Sequence, residues 1–244
     1  MQLNDSVALN GIKQDMYFLG KFSANTFQAN DLNRIINKYY YIAQSDIRAV
    51  NEDFFGEIST GDLMTNFGGT YPNEVPLPTD YEKITQVRAA YTPQNIAAPL
   101  QTEFQVLDLI KVDQISDPSY TVFSNPTAML FDNALFLAVL PAATVSGGLQ
   151  IFYIVSQTPL ANDTDKPNIF ADYHDVITWG SLIDVGTRLG KTDLVKQAMG
   201  MFAQRRADMK AYASQRAIDM KGAYVEGQGN LGGWDYNHGH NSMS

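Results

Sequence analysis

Residues Leu149–Leu189 read LQIFYIVSQTPLANDTDKPNIFADYHDVITWGSLIDVGTRL, and this stretch decides the fold. Its first part, Ile151 to Val155, is wholly β-branched or aromatic, follows the Gly147-Gly148 turn signal and is closed by Pro159, which predicts a strand. Its last part carries Phe170, Tyr173, Val176, Ile177, Gly180 and Ile183 at helical spacing, a stripe wide enough to be buried. Pro167 stops that helix from extending backward, and Asn168 is placed to cap it. A β region hands over to a helical one here.

Upstream of this junction, between Phe54 and Gln157, helical periodicity is lost and Gly, Pro, Asn and Asp punctuate short apolar runs, which predicts a mostly β region. Pro76 and Pro78 fix an extended approach to a strand over KITQVRAAY. EFQVLDLI fits strand or helix, YTVFS reads as a strand, and Asp132-Asn133 between AMLF and ALFLAV signals a hairpin. With LQIFYIVSQ the region holds about five or six strands, enough for a small barrel or a sheet packed on helices.

Before it, Leu32, Ile35, Ile36, Tyr39, Ile42, Ala43, Ile47 and Val50 form a helical stripe that Asn30 or Asp31 can cap. The first thirty residues show no sustained period and read as an arm with one short helix. Past the junction, Gly190 ends one helix and Thr192 can cap another that runs to a stop at Gly222. Within it Val195, Met199, Phe202, Arg206, Met209, Ala213, Arg216 and Met220 alternate four and three apart, a heptad seam carrying two arginines. An arginine buried there needs a carboxylate from a neighbouring helix, or a second subunit to cover it. The tail AYVEGQGNLGGWDYNHGHNSMS holds only isolated apolar residues and cannot fold alone, yet it carries Val225, Leu231, Trp234 and Tyr236, which suit an arm that orders on a partner.

The chain is long enough to bury a sizeable core, and one domain with an insertion is the expectation. The longest apolar run, ALFLAVLPAA, is broken by Pro141, far short of the roughly 20 residues of a membrane span, and the N-terminus lacks the marks of a secretory signal, so a protein made and kept in the cytoplasm is expected. With no cysteine there is no thiol nucleophile, thiolate metal site or disulfide. Charge is uneven: Arg188 to Lys221 holds eight Lys/Arg against three Asp, about +5, so the remainder carries −14 of a net −9. Such a helix is either a solvated face, with pairs such as Arg205 to Asp208 and Arg216 to Asp219, or a docking face for an acidic surface, another copy included. Long-range attraction to nucleic acid is disfavoured by the acidic whole.

Several chemical readings fail. GTRLGKT, Gly186 to Thr192, has three residues where the phosphate loop needs four, Val185 where its first glycine should be, and a helix before it. His174 between Asp172 and Asp175 invites acid–base work, but no GxSxG elbow accompanies it, so a structural hydrogen-bonder is the plainer reading. His238 and His240 are too sparse for a metal site, and Glu52-Asp53 and Asp163/Asp165 read as solvated loop charge. No catalytic, metal or cofactor set is expected.

The order of DLNRIINKYYYIAQSDIRAV, LPTDYEKITQVRAAY, YTVFSNP with NALFLAVLPA, LQIFYIVSQTPL, and then a proline with IFADYHDVITWGSL resembles the head-to-tail connector (adaptor) proteins of tailed bacteriophages, the group similar to podovirus tail tubular protein A. The similarity spans about residues 30 to 220. It implies an α+β fold: a helical bundle formed from both chain ends (31–53 and 168–222), an inserted small β domain that is barrel or sandwich-like (54–167) and an extended C-terminal tail (223–244), while the polar N-terminal arm (1–30) and the length of that Gly/Asn-rich tail depart from the family pattern. It further implies a dodecameric ring beneath the portal that joins capsid to tail around a DNA channel without specific recognition of the DNA. Its partners would be the portal protein and a downstream tail nozzle or stopper, with no membrane and no cofactor. It would sit in the virion neck after assembly in the host cytoplasm. Val225, Leu231, Trp234 and Tyr236 would form the portal-docking tail, and Arg205, Arg206 and Arg216 an inter-subunit or bundle polar seam. The competing expectation is a tail-associated β-domain binding module, accessory or receptor-binding. An enzyme would instead place His174 in a cleft beside a nucleophile.

Overall fold

A computed structural model describes residues 1–5, 7–110, 121–122, 125–131 and 133–227. The fold is mixed α+β, and the chain divides into two compact units: Met1–Phe54 joined with the chain from Pro159 onward, and Phe55–Thr158. The second break falls at Thr158, ahead of the boundary at 167 expected from the proline.

The first unit is helical. It contains α1 (Ile12–Gly20), α2 (Ala29–Val50), α3 (Asp175–Arg188) and α4 (Thr192–Gly227), with α3 packed against the other three and α2 also against α4. On α2 the buried positions Leu32, Ile35, Ile36, Tyr39, Ala43 and Ile47 follow the predicted stripe, whereas Val50 is exposed. The helix begins at Ala29, capped by Gln28 with no side-chain hydrogen bond, rather than at Asn30 or Asp31.

The segment from Pro159 to His174 differs from the expectation. Asn168 caps no helix: its N–H donates to the Tyr40 hydroxyl at 3.0 Å, a short 3-10 turn occupies Ala171–Tyr173, and α3 starts only at Asp175. The loop before it is built rather than merely solvated. The Asp165 carboxylate accepts the Ala161 and Asn162 N–H groups, each at 2.8 Å, and the Asp163 and Asp165 carbonyls accept the N–H groups of Asn4 and Leu3. Lys13 Nζ, nearly buried, reaches Asp163 at 3.1 Å. The first residues are therefore no free arm, since Leu3, Ile12 and Met16 are fully buried in the unit.

The GTRLG sequence is a helix end. Gly190, at φ 67°, sits just past α3, and the Lys191 and Gly190 N–H groups donate to the Gly186 and Thr187 carbonyls, a pairing that closes the last turn and needs a left-handed residue between the two helices. Helix α4 then runs through Gly222, which is no stop, to Gly227; Ala223 to Gly227, assigned to the tail, are helical. A glycine inside a helix costs about 1 kcal/mol against alanine, a penalty that the rest of a long helix can absorb.

Among the described residues, the second unit holds nine strands in two open sheets. One has the order β1 (Gly56–Leu63), β9 (Val145–Val155), β3 (Tyr81–Ala89) and β4 (Gln105–Val106). The other has the order β2 (Glu74–Val75), β8 (Ala134–Leu137), β7 (Asn125–Phe131) and β5 (Asp108–Leu109), with β6 (Thr121–Val122) pairing β7. Both sheets have edges, so the unit is not a closed barrel. Leu63, Val75, Val87, Ala128, Leu135, Leu137, Leu149 and Ile151 come from both sheets into one buried cluster.

Strand β9 runs through Gly147 and Gly148, which are not a turn before it. They lie where the β1–β9 register slips between Gly61 and Leu63, and Asp62 accepts the Gly147 N–H at 2.8 Å. The β7–β8 hairpin pairs Phe131 with Ala134, and Asn133 takes the positive φ of 66° that such a turn asks for, while Asp132 lies outside the described residues.

Candidate functional site

The α4 helix carries the residues singled out as a polar seam, and each has a role within the chain. Arg206 holds Asp46 of α2 through Nε and Nη2, the latter at 2.8 Å, and Lys210 Nζ reaches the same carboxylate at 2.8 Å. Burial opposes the charge on Asp46, but the hydrogen bonds from Arg206 and Lys210 outweigh it and hold the carboxyl below its ordinary range. Arg205 makes a two-nitrogen contact with Asp175 at 2.6 and 3.0 Å, not with Asp208, and donates to the Asp172 carbonyl. Three of the cations that made this segment basic are thereby matched by two acids of the same chain.

Arg216 is exposed and lies over the rings of Phe170 and Tyr212, 5.9 Å from each centroid. Those rings belong to a cluster: Phe170 is 4.3 Å from Phe54 and 4.9 Å from Tyr212, Tyr173 is 5.6 Å from Tyr212, and Arg205 covers Tyr173 at 5.0 Å. Two arginines therefore bracket an aromatic contact between α4 and the segment entering α3. Among the described side chains of α4, Ala198, Met209 and Ala213 are buried, and the predicted seam member Met199 is exposed. Of the tail residues, Val225 falls within the α4 backbone, while Leu231, Trp234 and Tyr236 lie outside the described residues, as do His238 and His240.

His174 does not face solvent. It is 5% exposed; its Nε2 is 3.4 Å from the Ile169 carbonyl and its Nδ1 is buried with no hydrogen-bond partner. Burial first, then the N-terminal ammonium, lowers its affinity for a proton, so the imidazole is neutral at pH 7. The hydroxyls near it along α3, Thr178 and Ser181, are buried and unpartnered as well. In the β unit, the Tyr153 hydroxyl lies 3.3 Å from Asp80 and 3.4 Å from Glu57; burial and then those carboxylates push it up to about 12, and it stays protonated. Among the described residues no three His, Cys, Asp or Glu stand together as metal ligands, and no helix is long and apolar enough to cross a membrane.

Asp46 and Lys13 are not singled out in the sequence, and Asp175, read there only beside His174, is the partner of Arg205. Asp46 had a signal: it lies seven residues after Tyr39 and three after Ala43, on the apolar stripe of α2, where an acid demands a cation. No family model and no curated protein matches the chain.

Proposed function

We propose that this protein is a structural head-to-tail adaptor of a tailed phage virion, a ring component beneath the portal that joins capsid to tail and surrounds the DNA channel, with no reaction of its own. The observation that carries the reading is the two-unit order: helices from both ends of the chain in one unit, and a β unit inserted between them. That is the organisation the sequence resemblance implies, with the helices acting as a bundle. Helix α4 adds to it. Its 36 residues span about 54 Å against the 22 residues of α2, a length that suits a helix reaching toward a partner. The burial of His174 favours a structural imidazole over a catalytic one. Portal protein on one side and a tail nozzle or stopper on the other are the partners of this reading. Duplex DNA would pass an acidic protein that does not hold it.

A second reading, a β-domain binding module, is favoured by aromatic residues exposed on the β unit: Tyr71, whose ring is 5.9 Å from that of Phe136, and Phe131. Native mass measurement and negative-stain imaging of the protein, alone and mixed with the portal from its own genome, separate the two. The adaptor reading expects a ring, free or on the portal. A monomer that ignores the portal overturns it in favour of the binding module.

A further inference from the structure

Among the described residues, the most exposed large apolar side chains of the helical unit lie at the two ends of α1. At its start, Val7 is 93% and Leu9 69% exposed; near its end, Phe18 is 82% exposed. The first pair is presented rather than left loose. The Asp5 carboxylate accepts the Val7 and Ala8 N–H groups at 3.1 and 2.8 Å, the Gln14 side chain accepts the Asp5 N–H at 2.9 Å, and Leu9 sits at φ 54°, a conformation that a leucine seldom adopts. Held polar groups and a left-handed leucine point two aliphatic side chains into water, where an isolated chain gains nothing from them.

The other end carries aromatic rings of matching character. Phe22 lies 5.3 Å from Tyr17 and 5.7 Å from Phe27, edge to face, and Phe18, next to Tyr17 in the chain, is exposed. The two ends also differ in charge. Asp5 braces the aliphatic turn, whereas Lys21, exposed, and Lys191, whose ammonium caps the Gly20 and Lys21 carbonyls at 2.8 and 2.9 Å, stand at the aromatic end.

We infer that the Val7–Leu9 turn of one copy docks on the Phe18–Phe22 end of α1 in the next copy of this chain. The inference rests on the ring reading above. A second copy is the occupant because this chain supplies both halves of the contact, apolar against apolar and acid against base. The halves are separated by the nine residues of α1, about 13 Å, so one molecule cannot close the contact on itself. Two different patches meeting head to tail make a heterologous interface, the kind that propagates into a ring.

The test uses the full chain, its V7D/L9D double variant and F18D, all exposed positions, with circular dichroism and thermal melting to establish folding and sedimentation velocity or native mass spectrometry to read assembly. The wild-type protein forms the ring, each variant loses it with at least a tenfold weaker association, and an equimolar mixture of the two variants yields a dimer joined by the one intact contact. A ring that persists in folded V7D/L9D overturns this contact while leaving the adaptor reading standing. So does a mixture that stays monomeric. A wild-type chain that remains a monomer at all concentrations and on the portal overturns both.

Discussion

Arg206 of α4 and Asp46 of α2 meet through two guanidinium nitrogens, and Lys210 adds a second cation to the same carboxylate at 2.8 Å. Asp46 is buried while both cations are partly exposed, so solvent screens the pair from one side. Replacing Asp46 with Asn should cost about 2 kcal/mol, less than a fully buried pair would lose. The folded-state carboxyl is held below its unfolded value, so the contribution is complete above about pH 4 and fades as the pH falls further. Urea unfolding of wild type and D46N at pH 7 and pH 3 checks this: the gap between them should narrow at the lower pH.

Gly180 of α3 lies against the Tyr39 ring. A Cβ there would collide with that ring and come within 3.0 Å of Phe202, itself edge-to-face with Tyr39 at 5.4 Å. Gly180→Ala should therefore lose about 1–3 kcal/mol despite the better helix propensity of alanine, and lower the melting temperature by several degrees. In the Tyr39→Ala background the same change should cost far less. Additive melting shifts in the double variant would refute the clash.

His174 titrates below its unfolded value, so between about pH 6.5 and its folded-state pKa the unfolded chain binds a proton that the folded chain refuses. Stability should fall as the pH drops below 6.5, and His174→Gln should flatten that slope. Melting curves from pH 7.5 to 5 give the comparison. If the enzyme reading held, an activity would vanish with His174→Ala; on the adaptor reading only stability moves.

A chain ending at Gly222 loses the last five helical residues of α4 together with the segment carrying Leu231, Trp234 and Tyr236. We expect its melting temperature to stay within a degree or two of wild type and its attachment to the portal to be abolished. Co-sedimentation with the portal reads the second outcome, and undiminished attachment would remove the docking-arm proposal.

The parts of the fold legible in the sequence were those where side chains alone carry the signal. The stripe of α2, the strand Ile151–Val155 and the β7–β8 hairpin each follow from periodicity or turn chemistry. Strand β1 was not legible, because GEISTGDL is polar, holds two glycines and is exposed on both faces as far as Asp62. It is a strand through backbone pairing with β9, which no local pattern encodes. The N-terminal segment differs from the expectation for a related reason: Leu3, Ile12 and Met16 have no common short period, Leu3 is tied by its N–H to Asp165 in a loop more than a hundred and fifty residues away, and the helix carrying Ile12 and Met16 packs on α3. Of the candidate site, the need of Arg206 for an acid was readable, but the identity of Asp46 required knowing which helix lies opposite.

Because the helical unit is discontinuous, its parts are not made together. Met1–Phe54 leaves the ribosome first, then the contiguous residues Phe55–Thr158, and only afterwards α3, on which α1 and α2 pack. At synthesis rates of about 5–20 residues per second, α2 waits on the order of ten seconds with Ile35, Ile36 and Ile47 bare, while the β unit has all its strands in hand. Helices α3 and α4 therefore complete the helical unit, and a chain lacking them would leave the apolar face of α2 without the surface on which it packs.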